Sequence, residues 1–407
     1  MLTQQAIIDF CNLHNYDIRV SGNGRWIDQK CTPDVLSFIA DCVLEYSMEN
    51  PGAAFTVKNI WNFRQSGENV KLVFKKPDVT DTKAKSEYDK FFSQPLKLLG
   101  YAKVLTEEKR GNRNYYTIAN AEVLEYIAVR EKNALFFLKT YIEKVLNDSS
   151  IMDIFDDFFL VQDKNAYNVV KTAMSNFTIE HTAINGEVEC NRIFTKVINV
   201  LAYYRNARGT RGGYVSKSVI TYDELMYNRL NFRDIYADKP KGVTRKEYAA
   251  AHPVVMNEAY YRYQSTKAKK YLKLFNEQHR DGKTEYLEAA HMHDKATERH
   301  HIFPEAEYPE ICYYLENIIC LTPTQHRNYA HPNGNTKEIN EQYQHLLLLS
   351  KADRIHENLT STIVEHIYEF GNFLFVLNVG FDNDDVLEIE DMDFCSVINA
   401  INLHYAA

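Results

Sequence analysis

The chain carries His300-His301-Ile302-Phe303-Pro304, then Leu315-Glu316-Asn317-Ile318-Ile319, then Leu321-Thr322-Pro323-Thr324-Gln325-His326, with His331 just beyond. Neutral imidazole is a common ligand of divalent ions and the side chain best suited to move a proton near neutral pH. Neighbouring side chains of an extended strand point to opposite faces, so His300 and His301 divide the work between ligand and general base. Six of the fourteen histidines (His291, His293, His300, His301, His326 and His331) fall within residues 291–331. The segment is short enough to close around one ion. His291-Met292-His293 fits no pattern and reads as a helix end or a substrate-facing surface.

These residues resemble the HNH family of endonucleases, whose active site is a ββα-metal fold. The family pattern is an acid or His followed by His at the end of a first strand, an Asn in the next loop, and a His on the helix. His300-His301, Asn317 and His326 take those places here, within residues 295–337, about a tenth of the chain. The resemblance implies that His300 and His326 ligate metal and that His301 deprotonates the attacking water. It implies that Asn317 orients the base by tying its loop in place. The run from Asn317 to His326, with Thr322-Pro323, is especially similar to the nuclease-colicin version.

That version has a further ligand four residues after the helical His, whereas His331 lies five residues on. At 3.6 residues per turn, residues five apart lie on largely opposed faces of a helix. Pro332, however, disfavours the helical conformation in the residue before it. With Thr322-Pro323 as N-cap and first helical position, the helix is expected to run from Pro323 to about Ala330. His331 can then turn back as a third ligand or a phosphate contact. The resemblance implies one divalent ion, Mg2+ in use, with Mn2+ or another transition metal able to replace it. Imidazole-rich coordination leans toward the transition metals.

What must position these groups is a chain of 407 residues, enough for two or three domains. Its 45% apolar and 25% charged content is that of a soluble globular protein. No run is long and apolar enough to span a bilayer, and the N-terminus lacks the features of a secretory signal. Seven cysteines without a C-x-x-C pair suggest reduced thiols, hence a cytoplasmic location. They also exclude a Cys-ribbon zinc site as a brace for the nuclease centre. Net charge is −8, yet residues 201–283 hold 17 Lys and Arg against 8 Asp and Glu, a balance of +9. Residues 351–407 hold 2 against 11, a balance of −9. The basic stretch offers phosphate contacts, the main source of sequence-independent affinity for nucleic acid.

The expected fold class is α+β and mainly helical, in three parts. Residues 1–130 give a helix opened by Thr32-Pro33-Asp34, a short helix over 55–65, and a third over 86–99 stopped by Gly100. A hairpin with the basic turn Lys109-Arg110-Gly111-Asn112-Arg113 follows. This order resembles a winged helix. It would send Lys85, Lys90, Ser93, Gln94 and Lys97 into a major groove and lay Arg110 and Arg113 on the backbone. Residues 131–283 read as a helical connecting region with a basic, DNA-contacting part. There Arg205, Arg208 and Arg211, in a run too glycine-rich for a regular element, alternate with Tyr204, Tyr214 and Tyr222 to clamp phosphates and stack on bases. Residues 284–407 hold the ββα-metal nuclease domain and an acidic extension, with helices over 338–351 and 358–370, the second stopped by Gly371. No internal repeat is evident.

A winged-helix reader joined to an HNH centre resembles a modular bacterial restriction endonuclease. The expected function is a type II restriction enzyme cutting double-stranded DNA, with no membrane partner. A single His-His-x-x-Pro motif suits one strand per engagement, so two chains are expected to pair transiently on a duplex. An HNH toxin or anti-phage nuclease is a second enzyme reading. A DNA-binding regulator with a degraded nuclease domain is a third, and the complete set of His300, His301, Asn317 and His326 counts against it.

Overall fold

A computed structural model describes residues 2–74, 76, 78, 80, 85–227, 251, 258–288, 294–331 and 339–406. His291, His293, Pro332 and the Lys85 side chain lie outside the described residues, as does the stretch holding six of the seventeen basic residues of 201–283. The chain is mainly helical, with three two-stranded antiparallel sheets among the described residues. It divides into two compact units, Leu2–Met256 and Asn257–Ala407. The boundaries expected at 130 and 283 therefore do not separate the cores.

In the unit Leu2–Met256, α1 (Gln4–Asn12) and the short α2 (Ile18–Ser21) precede α3 (Pro33–Glu49), which starts with proline at its first position. Its buried Val35, Leu36, Ile39 and Val43 recur at helical spacing. The expected second helix is two: α4 (Val57–Trp61) and α5 (Arg64–Phe74). Thr56 and Asn59 close a reciprocal cap that starts α4, and the chain turns at Asn62 before α5 begins. Next come α6 (Lys85–Tyr101), running through Pro95, and the hairpin β1 (Leu105–Arg110) and β2 (Arg113–Ile118), paired Leu105 to Ile118 and Arg110 to Arg113.

Gly100 does not end α6. The turn comes at Lys103, in the left-handed region, where Val104 N–H bonds the Leu99 carbonyl at 3.0 Å. A Cβ on Gly100 would lie 3.4 Å from the Glu107 side chain and 3.6 Å from the Tyr116 ring, ordinary contact distances, so the hairpin packs on the helix here without requiring glycine.

α7 (Ala121–Val129) and α8 (Glu131–Asp148) pack on α3, and α8 also packs on α1. This joint core makes residues 131–256 continuous with the first 130. A second series follows: α9 (Met152–Val161), α10 (Lys164–His181), α11 (Glu187–Tyr204), β3 (Arg208–Arg211), β4 (Tyr214–Val219) and α12 (Tyr222–Leu225). The glycine-rich run expected to be irregular is thus a hairpin. Gly212 and Gly213 both take positive φ and supply its two-residue turn. A run of helices ending in a two-stranded hairpin thus occurs twice in this unit, six helices before the first hairpin and five before the second.

The unit Asn257–Ala407 opens with α13 (Glu258–His279), which buries Tyr261, Ala268, Tyr271, Leu272 and Phe275. This helix packs on the segments that build the histidine site, which is why the division falls before residue 258. β5 (Glu298–His301) pairs antiparallel with β6 (Ile318–Leu321), placing His300 opposite Ile319 and His301 opposite Ile318. A π-helical turn, Gln325–Ala330, follows. Then come α14 (Glu341–Thr360), α15 (Phe370–Phe381) and α16 (Phe394–Ala406), the last packed on α14. The helices expected at 338–351 and 358–370 are instead one helix ending at Thr360 and a loop. Asn358 holds that loop by accepting from Ile367 N at 2.8 Å and donating to the Glu365 carbonyl at 2.9 Å. Gly371 lies inside α15 and does not stop it.

Candidate functional site

β5 is short and buried where it meets the site, and its alternation separates the two imidazoles. His300 faces His326 and His331, with ring centroids 5.2 and 5.0 Å away; those two rings are 4.9 Å apart. One nitrogen from each of the three lies within 4.8 Å of the others. His300 is 4% exposed, and its Nε2 has no hydrogen-bond partner; neither does the Nδ1 of His326. Buried polar atoms are normally paired. Two unpartnered imidazole nitrogens in a cluster of three mutually close histidines therefore fit a divalent ion.

The way His331 reaches that point follows from local winding. Thr322 Oγ1 accepts from Gln325 N at 3.1 Å, and Gln325 Oε1 accepts from Thr322 N at 3.1 Å, a reciprocal cap at the expected position. From Gln325 the turn widens to i→i+5 spacing, which brings residues five apart onto one side. His331 leaves the turn in extended conformation, φ −117° and ψ 108°. The helix ends at Ala330 as its sequence suggests, and the wide turn supplies a register that ideal α-helical geometry does not.

Burial, with like-charge repulsion from His326 and His331, pushes the His300 pKa well below its ordinary value. The His326 pKa is lowered by burial and His331, against the opposing pull of Glu298. Both groups are thus held in the neutral form that ligates metal.

His301 points the other way. Its Nε2 lies 2.8 Å from the Cys312 carbonyl oxygen and 3.2 Å from Ser265 Oγ on α13. A carbonyl only accepts, so Nε2 carries the proton and Nδ1 keeps the lone pair. That Nδ1 lies 3.7 Å from Glu305 Oε2, to which Ser265 Oγ donates at 3.2 Å. Burial, with the nearby Lys269 ammonium, lowers the His301 pKa to about 4, the Cys312 carbonyl opposing. Asn317, fully buried, accepts from Phe303 N at 2.8 Å and donates to the carbonyls of Phe303 at 3.0 Å and Ile311 at 3.2 Å. Gln344 on α14 donates to the Ile302 carbonyl at 2.7 Å. The chain after His301 is fixed on both sides.

Deeper support comes from Glu285, which accepts from Cys320 N on β6 at 2.6 Å and pairs with Lys351 on α14 at 3.4 Å and Arg280 at 3.5 Å. Ser265, Lys269, Glu305 and the Cys312 carbonyl were not expected from sequence. Ser265 lies 36 residues before His301, and only the amphipathic spacing of α13 hinted that this helix packs nearby.

The expected DNA-contacting residues fall into two groups. Lys90, Lys97, Arg113 and Arg208 are exposed, and Ser93 is half-buried. Arg110 is exposed but pairs with Glu108 at 2.7 Å and lies over the Tyr115 ring at 4.9 Å. Gln94, Arg205 and Arg211 are engaged within the chain instead. Gln94 Oε1 accepts from Lys30 N at 2.8 Å, and Arg205 pairs with Asp156 at 2.7 Å above the Phe159 ring. Arg211 donates to Glu224 at 2.6 Å, Ser218 at 2.7 Å and the Val219 carbonyl at 3.0 Å, so its donors knit the second hairpin to α12.

All seven cysteines are free thiols, and among the described residues no helix is long and apolar enough to cross a membrane. No family model, curated protein or solved structure matches the chain.

Proposed function

We propose that the chain is a metal-dependent endonuclease of the HNH type that hydrolyses DNA phosphodiester bonds, in the manner of a type II restriction enzyme. The observation that carries this reading is the pairing of functions across β5: three converging imidazoles on one face, and on the other a histidine whose tautomer leaves Nδ1 free. His300, His326 and His331 would hold the ion, and His301 would act as base. With three imidazoles and no carboxylate among the described residues of the cluster, the donor set suits a transition ion such as Mn2+, Zn2+ or Ni2+ better than Mg2+.

When bound, the ion supplies positive charge that polarises the phosphodiester and offsets charge on the leaving 3′-oxygen. His301 Nδ1 takes the proton of the attacking water as the water oxygen bonds to phosphorus and the bond to the 3′-oxygen breaks. The low His301 pKa keeps this base neutral at physiological pH. Asn317 and Gln344 hold the loop rigid, and the Cys312 carbonyl fixes the tautomer. The winged-helix-like order at the N-terminus would serve DNA binding, and a duplex cut would need two chains acting on antiparallel strands.

Supercoiled plasmid incubated with the full chain tests the reading. Nicking is expected with Mn2+, Zn2+ or Ni2+ and is lost in His300→Ala. No cleavage with any divalent ion, despite metal uptake by the wild type, overturns it.

A further inference from the structure

We propose that the groove between α4, α6 and the β1–β2 hairpin is a binding site for an unpaired strand of nucleic acid. This deepens the reading above only in taking nucleic acid as the partner. The groove has a volume of about 1630 Å³, larger than the roughly 300–1,000 Å³ typical of small-ligand sites. Lys97 and Asn114 also line an adjoining cleft of about 530 Å³ that reaches Asn23 and Asn185. Two cavities that share lining residues offer an extended surface, which suits a polymer.

The floor is α6. Asp89, Ser93 and Lys97 recur every fourth residue along one face and all line the groove. α4 contributes Lys58 and Asn59 and its C-cap Asn62, and the hairpin contributes Lys109, Asn112 and Arg113. A helix that reads a duplex must stand proud of its surroundings to enter a major groove about 12 Å wide and 8.5 Å deep. The outward face of α6 is flanked by α4 and the hairpin, which line the same groove. Between these flanks an unpaired strand can present its base edges to α6 directly, whereas the pairing edges of a duplex face inward.

The lining has the chemistry that such a strand needs. Lys58, Lys97, Lys109 and Arg113 are exposed and form no ion pair among the described residues; Asp89 is the one acid among the described residues lining the groove, and Glu107 and Glu189 line the adjoining cleft. Trp61, Phe63 and Tyr115, each half-exposed, offer aromatic surface for stacking bases, which every base accepts. The Asn side chains supply donors and acceptors for the exposed edges of unstacked bases.

The test uses the full chain with EDTA present, a 20-nucleotide oligodeoxythymidine, and a 20-base-pair duplex. Anisotropy is expected to show at least tenfold tighter binding of the single strand. Lys97→Glu should weaken single-strand binding at least tenfold and duplex binding far less, with an unchanged melting temperature as the check on folding. Trp61 lines the groove and Trp26 is buried, so binding should quench tryptophan emission. Trp61→Phe should remove the quench and weaken single-strand binding by less than Lys97→Glu does, since a smaller ring still stacks. Equal or tighter duplex binding, with Lys97→Glu affecting both forms alike, overturns the proposal; so does a quench that survives Trp61→Phe. Metal-dependent nicking without preferential single-strand binding defeats this proposal alone. Single-strand binding in a chain that cuts nothing defeats the nuclease reading alone.

Discussion

The histidine centre of Asn257–Ala407 and the groove of Leu2–Met256 solve opposite problems with polar residues. At the centre His300, His301, Asn317 and Glu285 are buried, and each holds a position set by backbone carbonyls, amides or facing imidazoles. In the groove Lys58, Lys97, Lys109 and Arg113 are exposed and untethered. Burial makes each polar group costly to misplace, so geometry at the centre is fixed before any ligand arrives. Exposure leaves the groove cations cheap to move and screened by salt. Substitutions at the centre should therefore act nearly all-or-none, and those in the groove by degrees.

The largest effect is expected at His301. His301→Ala should slow cleavage by about 10²–10⁴-fold, yet keep the rise in melting temperature that saturating Mn2+ or Zn2+ gives the wild type. His300→Ala should lose both. Comparing the two by scanning fluorimetry separates base from ligand; a His301→Ala chain that no longer responds to metal would merge the roles.

Glu285→Gln should come next, costing about 3 kcal/mol because it leaves Lys351 buried without its charge partner. Burial alone would raise the Glu285 carboxyl, but Lys351 and Arg280 hold it below the usual range. A depressed carboxylate contributes stability that is present above its unfolded pKa and lost as pH falls through the folded value. Urea melts from neutral pH into acid should therefore fall more steeply for the wild type than for the variant.

A smaller loss is expected at Gly380, where an added Cβ would collide with the Phe303 ring. That ring cannot easily retreat, since it is buried against Tyr308 and Phe381 and Asn317 grips the Phe303 backbone at both N and O. Gly380→Ala should cost about 1–3 kcal/mol and slow cleavage as well. Unchanged cleavage would show that the loop after His301 tolerates movement.

The smallest effects distinguish the two hairpins. Arg113→Ala should lower the slope of log affinity against log salt by about 1. Arg211→Ala should leave that slope unaltered and cost about 0.2–1 kcal/mol, since its guanidinium serves Glu224 and not a ligand. An Arg211 effect on the salt slope would reverse this assignment.

The histidine centre was largely legible because its parts lie close in sequence. Strand alternation separated His300 from His301, Thr322-Pro323 marked the helix start, and Pro332 marked its end before His331. What was hidden depends on distant chain: Ser265 and Lys269 come from a helix assigned to another region, and the Cys312 carbonyl has no side-chain signature. Charge counting misled at Arg205 and Arg211, since a local excess of arginine says nothing about which guanidiniums meet Asp156 or Glu224. The second hairpin was missed for a related reason. Two adjacent glycines read as too many for a regular element, yet positive φ at both is the requirement of a tight two-residue turn.

The wide turn between His326 and His331 makes the centre tolerant of a change in chain length. Removing Asn328 would leave the two imidazoles four residues apart, the interval that ordinary α-helical winding places on one side. The same pair could thus face His300 through a narrower coil, and the deletion variant should still take up Zn2+ in a metal-binding titration. An insertion would carry the spacing past what either winding supports and should abolish uptake. Length at this point can drift by one residue in one direction only.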